Sequence, residues 1–266
     1  MFTLPLFVGQ ITPVETDTTE RRSPPPRQRP KRAPFEQDFD VTLGDGTPKC
    51  TIPEMCMDGY TLKDFLASGT YGSVYEACKP KGTCKYVIKF QKLGKGSTFN
   101  SEVEITKKMS KLKIGPEHVG AFKCKEKNVG IIVSEKWDGE LKHKELKTLS
   151  PHLISTLEDQ INKLHKEGYI HADIKPSNIL VRRSTLGKVT DLTLADFGIT
   201  DTPEGLKKKN TDWIDRLYKY HAEMSPNSHY YADNKIYNHH VRKDPKLLDM
   251  GLIYFLKKRI KQKPCC

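Results

Sequence analysis

Apolar residues fall in short strand-like runs over the first half of the chain and recur at helical spacing further on. Lys85-Tyr86-Val87-Ile88-Lys89-Phe90 is β-branched and aromatic, and reads as a strand. Residues 129–134, with Val129, Ile131, Ile132 and Val133, predict a buried strand. Residues 60–65 lead into Ala67-Ser68-Gly69-Thr70-Tyr71-Gly72-Ser73-Val74-Tyr75, which reads as strand, glycine turn, strand. Over 99–112, Val103, Ile105 and Met109 stand among lysines, and a helix is predicted. Over 151–166, Leu153, Leu157, Ile161 and Leu164 share one helical face, with Pro151 at the start and Gly168 as the stop. Ile179-Leu180-Val181 and Leu192-Thr193-Leu194 are two further short apolar strands.

Composition bounds this picture. The chain has 266 residues, room for about one or two domains. Residues 1–55 read as a disordered Pro/Arg-rich tail, because Arg21-Arg22-Ser23-Pro24-Pro25-Pro26-Arg27-Gln28-Arg29-Pro30-Lys31-Arg32 cannot bury enough apolar area to offset its ordering entropy. A nuclear-import or docking signal and a solvated linker are both open for it. No apolar run approaches the ~20 residues that span a bilayer, so no transmembrane segment is expected. Residues 1–10 are apolar but brief, lack a basic start and contain Pro5, unlike a secretory signal. Seven cysteines, odd in number and without metal-site spacing, suggest free thiols in a reducing compartment, hence an intracellular protein of cytoplasm or nucleus. The formal net charge of +12 favours acidic partners, nucleic acid among them through the basic tails, or simply a basic surface around a phosphate site. Residues 257–266 read as a basic tail ending in Cys265-Cys266, either lipidated next to a basic run or frayed.

The chemistry sits in His171-Ala172-Asp173-Ile174-Lys175-Pro176-Ser177-Asn178, followed by Asp196-Phe197-Gly198. Asp173 can accept a proton from an attacking hydroxyl, and Lys175 can reach a transferring phosphate. Asn178 and Asp196 offer hard oxygen ligands suited to Mg²⁺. The ordered pair of motifs, with apolar strands between them, resembles the catalytic and metal loops of the eukaryotic-type protein kinase superfamily, in its serine/threonine branch. The resemblance covers roughly residues 60–256.

That resemblance implies an α+β, two-lobed kinase-like fold, with a β-rich N-lobe over about 56–135 and a truncated helical C-lobe over about 138–256. It implies ATP as donor, Mg²⁺ or Mn²⁺ as the metal, and protein hydroxyls as acceptors. Lys89 would grip the ATP phosphates. Ala67, Gly69 and Gly72 would take the places of the phosphate-loop glycines, the first of them altered. Glu102 and Glu104 compete to pair with Lys89, and helical periodicity selects Glu102. Val74, Val87 and Leu180 would enclose the adenine, unless they are ordinary core residues. Glu135 and Trp137 would meet its edge through backbone groups, with Ser134 as a small gatekeeper. His171 would support Phe197 by packing.

Several positions depart from the family pattern. Ala172 replaces an arginine that pairs with a phosphorylated activation loop, so dependence on such a phosphate is not expected. Asp249-Met250-Gly251-Leu252 resembles the start of the central C-lobe helix, but little follows it, and Tyr231-Ala232-Asp233-Asn234 is the nearest echo of A-P-E. A partner covering the shortened lobe is therefore expected. These features resemble compact viral kinases and the smallest atypical kinases, which would place the protein in a host cell. The alternatives are a pseudokinase binding module and a compact kinase or ATPase acting within a complex.

Overall fold

The computed structural model describes residues 39–41, 50–53, 56–69, 72–80, 82, 84–95, 97–208, 244 and 246–261, all within the compact unit Gln37–Cys266. The Arg/Pro-rich run at 21–32, the glycine-turn residues Thr70 and Tyr71, the Tyr231-Ala232-Asp233-Asn234 echo and Cys265-Cys266 lie outside the described residues.

Order starts earlier than the expected boundary at residue 55. Strands β1 (Phe39–Val41) and β2 (Cys50–Ile52) pair antiparallel. Strands β3 (Thr61–Gly69), β4 (Gly72–Cys78), β5 (Tyr86–Lys92), β6 (His118–Cys124) and β7 (Val129–Glu135) form one antiparallel sheet in the order β3-β4-β5-β7-β6. Val41 and Ile52 are fully buried, packed with Met57, Ile88, Phe90 and Val129 in one apolar core. The N-terminal hairpin is therefore part of the N-lobe, held by burial that the polar sequence around it obscured.

The free-thiol expectation is overturned for four cysteines. Cys56 bonds to Cys124 at the end of β6, and Cys78 bonds to Cys84 across the β4–β5 connection. The first pair lies 68 residues apart in sequence, so only the folded topology reveals it. The compartment argument built on free thiols loses its basis.

Helix α1 (Phe99–Lys111) follows β5 and buries Phe99, Glu102, Ile105, Thr106 and Met109, while Glu104 faces solvent. Gly130 on β7 makes room for it: a Cβ there would stand 2.3 Å from the Phe99 ring. Helix α2 (Pro151–Lys166) begins at the Ser150 cap, whose hydroxyl accepts the Leu153 N–H at 3.3 Å. Its apolar face joins Ile105, Met109, Leu194 and Phe197 in a second core. Strands β8 (Ile179–Arg183) and β9 (Val189–Leu194) form a hairpin on that core. A short helix α3 (Pro203–Lys208) and the longer α4 (Leu247–Lys261) complete the C-lobe described here. Ile253 and Leu256 of α4 are buried in the same core. The helix runs through 257–261, which the basic-tail reading had left outside the domain. No helix among the described residues is long and apolar enough to cross a membrane.

Candidate active site

Strand β5 decides which side chains enter the cleft. Alternate residues of a strand face opposite sides. Ile88 and Phe90 therefore point into the N-lobe core, and Val87, Lys89 and Gln91 into the cleft. Lys89 Nζ lies 2.7 Å from Glu102 Oε1 and 2.7 Å from Asp196 Oδ1. The register of α1 thus brings Glu102 to the lysine and turns Glu104 away. Burial alone would lower the Lys89 pKa, but the Asp196 and Glu102 carboxylates outweigh it and hold the ammonium above the ordinary lysine value. Gln91 also reaches this cluster, its amide nitrogen donating to Glu102 Oε2. Sequence reasoning missed Gln91, although its spacing of two from Lys89 places it on the same face.

The catalytic-loop segment follows α2. A 3-10 turn at Pro176–Asn178 folds Asn178 back, so that its Nδ2 donates to the Asp173 carbonyl at 3.0 Å and to Asp173 Oδ2 at 2.8 Å. Lys175 Nζ stands 2.9 Å from the same Asp173 oxygen. With the Asn178 side-chain nitrogen donating to Asp173, its side-chain oxygen Oδ1 is the atom left that could face a metal. Among the described residues no group of three or more His, Cys, Asp or Glu side chains could hold a metal ion. Mg²⁺ suits such a place: it keeps several waters and takes one or two protein oxygens with substrate phosphates. The pair Asn178 and Asp196 fits that donor set.

Two residues of the site hold left-handed backbone without being glycine: Ala172 at φ 67° and Asp196 at φ 59°. Such positions cost about 1–3 kcal/mol each and need support from their surroundings. For Ala172 the support is Asp249 on α4, fully buried, which accepts the Ala172 N–H at Oδ1 and the His171 N–H at Oδ2, both at 2.8 Å. His165 Nε2 of α2 lies 2.9 Å from the same Oδ2. His165 belongs to none of the motifs read from the sequence, so its part here was not expected. His171 is fully buried, its Nε2 3.0 Å from the Ala195 carbonyl and its ring 5.2 Å from that of Phe197. A Cβ on Gly115 would stand 2.9 Å from the Phe197 ring, so the loop after α1 closes on it.

Val74 of β4, Val87 of β5 and Leu180 of β8 are half-buried and belong to neither packed core among the described residues. Ser134 pairs across β7 with Val87 on one side and His118 on the other. Beyond it, Glu135 and Trp137 are held from below by Arg182 of β8. The Arg182 guanidinium stacks on the Trp137 ring at 4.5 Å, donates to the Lys136 carbonyl at 2.8 Å and pairs with the Glu135 carboxylate. Of the phosphate-loop positions, Ala67 pairs with Val74, and Gly69 with Gly72. A Cβ on Gly72 would stand 2.1 Å from the Phe90 carbonyl oxygen. That close approach of β4 to β5 requires glycine whether or not a phosphate lies above it.

The protein kinase domain family matches residues 60–257. The chain is 29% identical over 167 residues to an Aurora kinase of Candida glabrata, covering 56% of this chain and 45% of that one. It is 28% identical over 170 residues to a calcium/calmodulin-dependent protein kinase type I of Schizosaccharomyces pombe, covering 59% and 50%. It is 26% identical over 192 residues to a protein kinase US3 homolog of Gallid herpesvirus 2, covering 69% and 45%. The chain thus spans half or less of the length of these curated relatives. With the family matched over most of its length and the lysine–glutamate and Asp173–Asn178 contacts in place, this chain belongs to the protein kinase family.

Proposed function

We propose that this protein transfers the γ-phosphoryl group of ATP to serine or threonine hydroxyls of protein substrates. The observation that carries the reading is the convergence of Lys175 and Asn178 on one oxygen of Asp173, at 2.9 and 2.8 Å. This fixes the Asp173 carboxylate beside a cation that can meet a phosphoryl oxygen. In the reaction, a substrate hydroxyl oxygen forms a bond to the γ-phosphorus and the bond to the β–γ bridging oxygen breaks. ADP leaves, and the hydroxyl proton passes to Asp173. Lys175 stabilises the charge on the transferring group, and Lys89, braced by Glu102, orients the donor phosphates. Val74, Val87 and Leu180 enclose the adenine, with the backbone of Glu135 and Trp137 at its edge. Asn178 and Asp196 would hold Mg²⁺ or Mn²⁺, which would neutralise phosphate charge. Most of the acceleration then comes from positioning and charge stabilisation.

A lysine two residues after the catalytic aspartate, together with serine/threonine kinases among the relatives, favours serine and threonine over tyrosine. Ala172 offers no guanidinium to a phosphorylated activation segment, so transfer proceeds without one. The test is purified protein with labelled ATP and a mixed panel of protein substrates, followed by phosphoamino-acid analysis. Label in phosphoserine or phosphothreonine, lost in Asp173→Asn, supports the reading. Label confined to phosphotyrosine, or surviving in Asp173→Asn, overturns it.

A further inference from the structure

Gln91 is a buried polar side chain that the reaction above does not use. It lies on β5 two residues beyond Lys89, on the same cleft-facing side. The two side chains divide one carboxylate between them. Lys89 takes Glu102 Oε1 at 2.7 Å, and the Gln91 amide nitrogen donates to Glu102 Oε2. An ionised carboxylate only accepts, so the amide must turn its NH₂ toward it. Gly198 walls in the same oxygen, since a Cβ there would stand 3.1 Å from Oε2. Glu102 itself is only 3% exposed, so an oxygen without a donor at this place would be costly.

The two donors differ in how firmly they are committed. Lys89 is shared, with Asp196 as close to it as Glu102. Its flexible ammonium can leave either carboxylate for the phosphates of a nucleotide. Gln91 is uncharged, sits at 3% exposure, and has little to gain from a phosphate group beyond Lys89. We infer that Gln91 is a positioning residue: it holds α1 in its inward place through Glu102, so that the glutamate is set before nucleotide arrives and stays set while Lys89 turns to the phosphates.

The catalytic part of this inference rests on the kinase reading; the structural part does not. The experiment therefore uses two readouts on the full chain with Gln91→Met, which keeps length and removes the donor, and Gln91→Glu, which keeps size and replaces the donor with an acceptor. The first readout is amide hydrogen exchange over 99–111 in nucleotide-free protein. A hydrogen bond to a charged group typically corresponds to about ten- to hundredfold in an equilibrium, so exchange should quicken about tenfold in Gln91→Met and more in Gln91→Glu. Exchange in β4 and β7 should not change. The second readout is kcat and KM for ATP, with kcat falling in the same order of variants and KM changing little. In a Glu102→Ala background, Gln91→Met should add little further to the exchange rate, because the acceptor it acts through is gone. Unchanged exchange over 99–111 in both variants, or a full additive effect on top of Glu102→Ala, would overturn the inference. Should the wild type transfer no phosphate, the functional reading fails while the exchange comparison still decides this one.

Discussion

The two sides of β5 make opposite demands on sequence. On one side Ile88 and Phe90, both fully buried, meet Val41, Ile52, Met57 and Val129. There the requirement is volume and apolarity, and many residues would serve. On the other side Lys89 and Gln91 meet Glu102 and Asp196 through single atoms. There one changed atom matters and few residues would serve. A seven-residue strand thus carries stability on one face and chemistry on the other, and each should be breakable without the other.

The largest effect is expected on the apolar side. Phe90→Ala should cost about 3–5 kcal/mol of stability, measured by denaturant unfolding, with specific activity of the folded fraction kept within a few-fold. Next comes the polar side: Asp196→Ala should lower phosphoryl transfer about a hundred- to thousandfold while the melting temperature stays near wild type. Loss of fold in that variant would mean that the two sides are not separable. The Cys56–Cys124 bond belongs to the stability side, so replacing both cysteines with serine should cost about 2–4 kcal/mol in unfolding experiments under oxidising conditions. Under reducing conditions the difference from wild type should vanish. The smallest contrast is within α1. Glu102→Ala should lower kcat about ten- to hundredfold, whereas Glu104→Ala, altering an exposed charge, should stay within about 0.5 kcal/mol in stability and leave the rate as it was. A more damaging Glu104→Ala would mean that α1 turns in solution to a different register.

What the sequence disclosed follows from the same contrast. β5, α1 and α2 were legible because each repeats its apolar residues at the period of its element. Lys89, Asp173, Asn178 and Asp196 stood out by their motif spacing, and the structure brings Lys89 to Glu102 and Asp196, and Asn178 to Asp173. β1 and β2 were not, being three residues each in polar surroundings whose burial depends on the sheet beneath. β6 was not, because it is an edge strand with a glycine and mixed exposure. The cysteine pairings were hidden by topology. Gly72 carries a packing requirement of its own, one the motif does not disclose, since its close approach to Phe90 already demands a glycine. Gln91 and His165 belong to no motif, although simple strand alternation from Lys89 would have put Gln91 on the right face.

Asp249 carries a consequence in time. Its carboxylate holds the backbone of residues 77 and 78 positions earlier in the chain. A growing polypeptide that has emerged as far as Asn178 already possesses Lys89, Glu102, Asp173 and Lys175. Yet the two Asp249 hydrogen bonds to the His171 and Ala172 amides are then missing, and closing so long a loop carries an entropic toll that grows with its length. The Lys89–Glu102 pair can be assembled early by local sheet and helix contacts, while the backbone of His171 and Ala172 must wait for α4. During synthesis the Lys89–Glu102 side would take shape before the Asp173 loop, and a ribosome-bound chain stopped short of residue 249 would carry the first without the brace of the second.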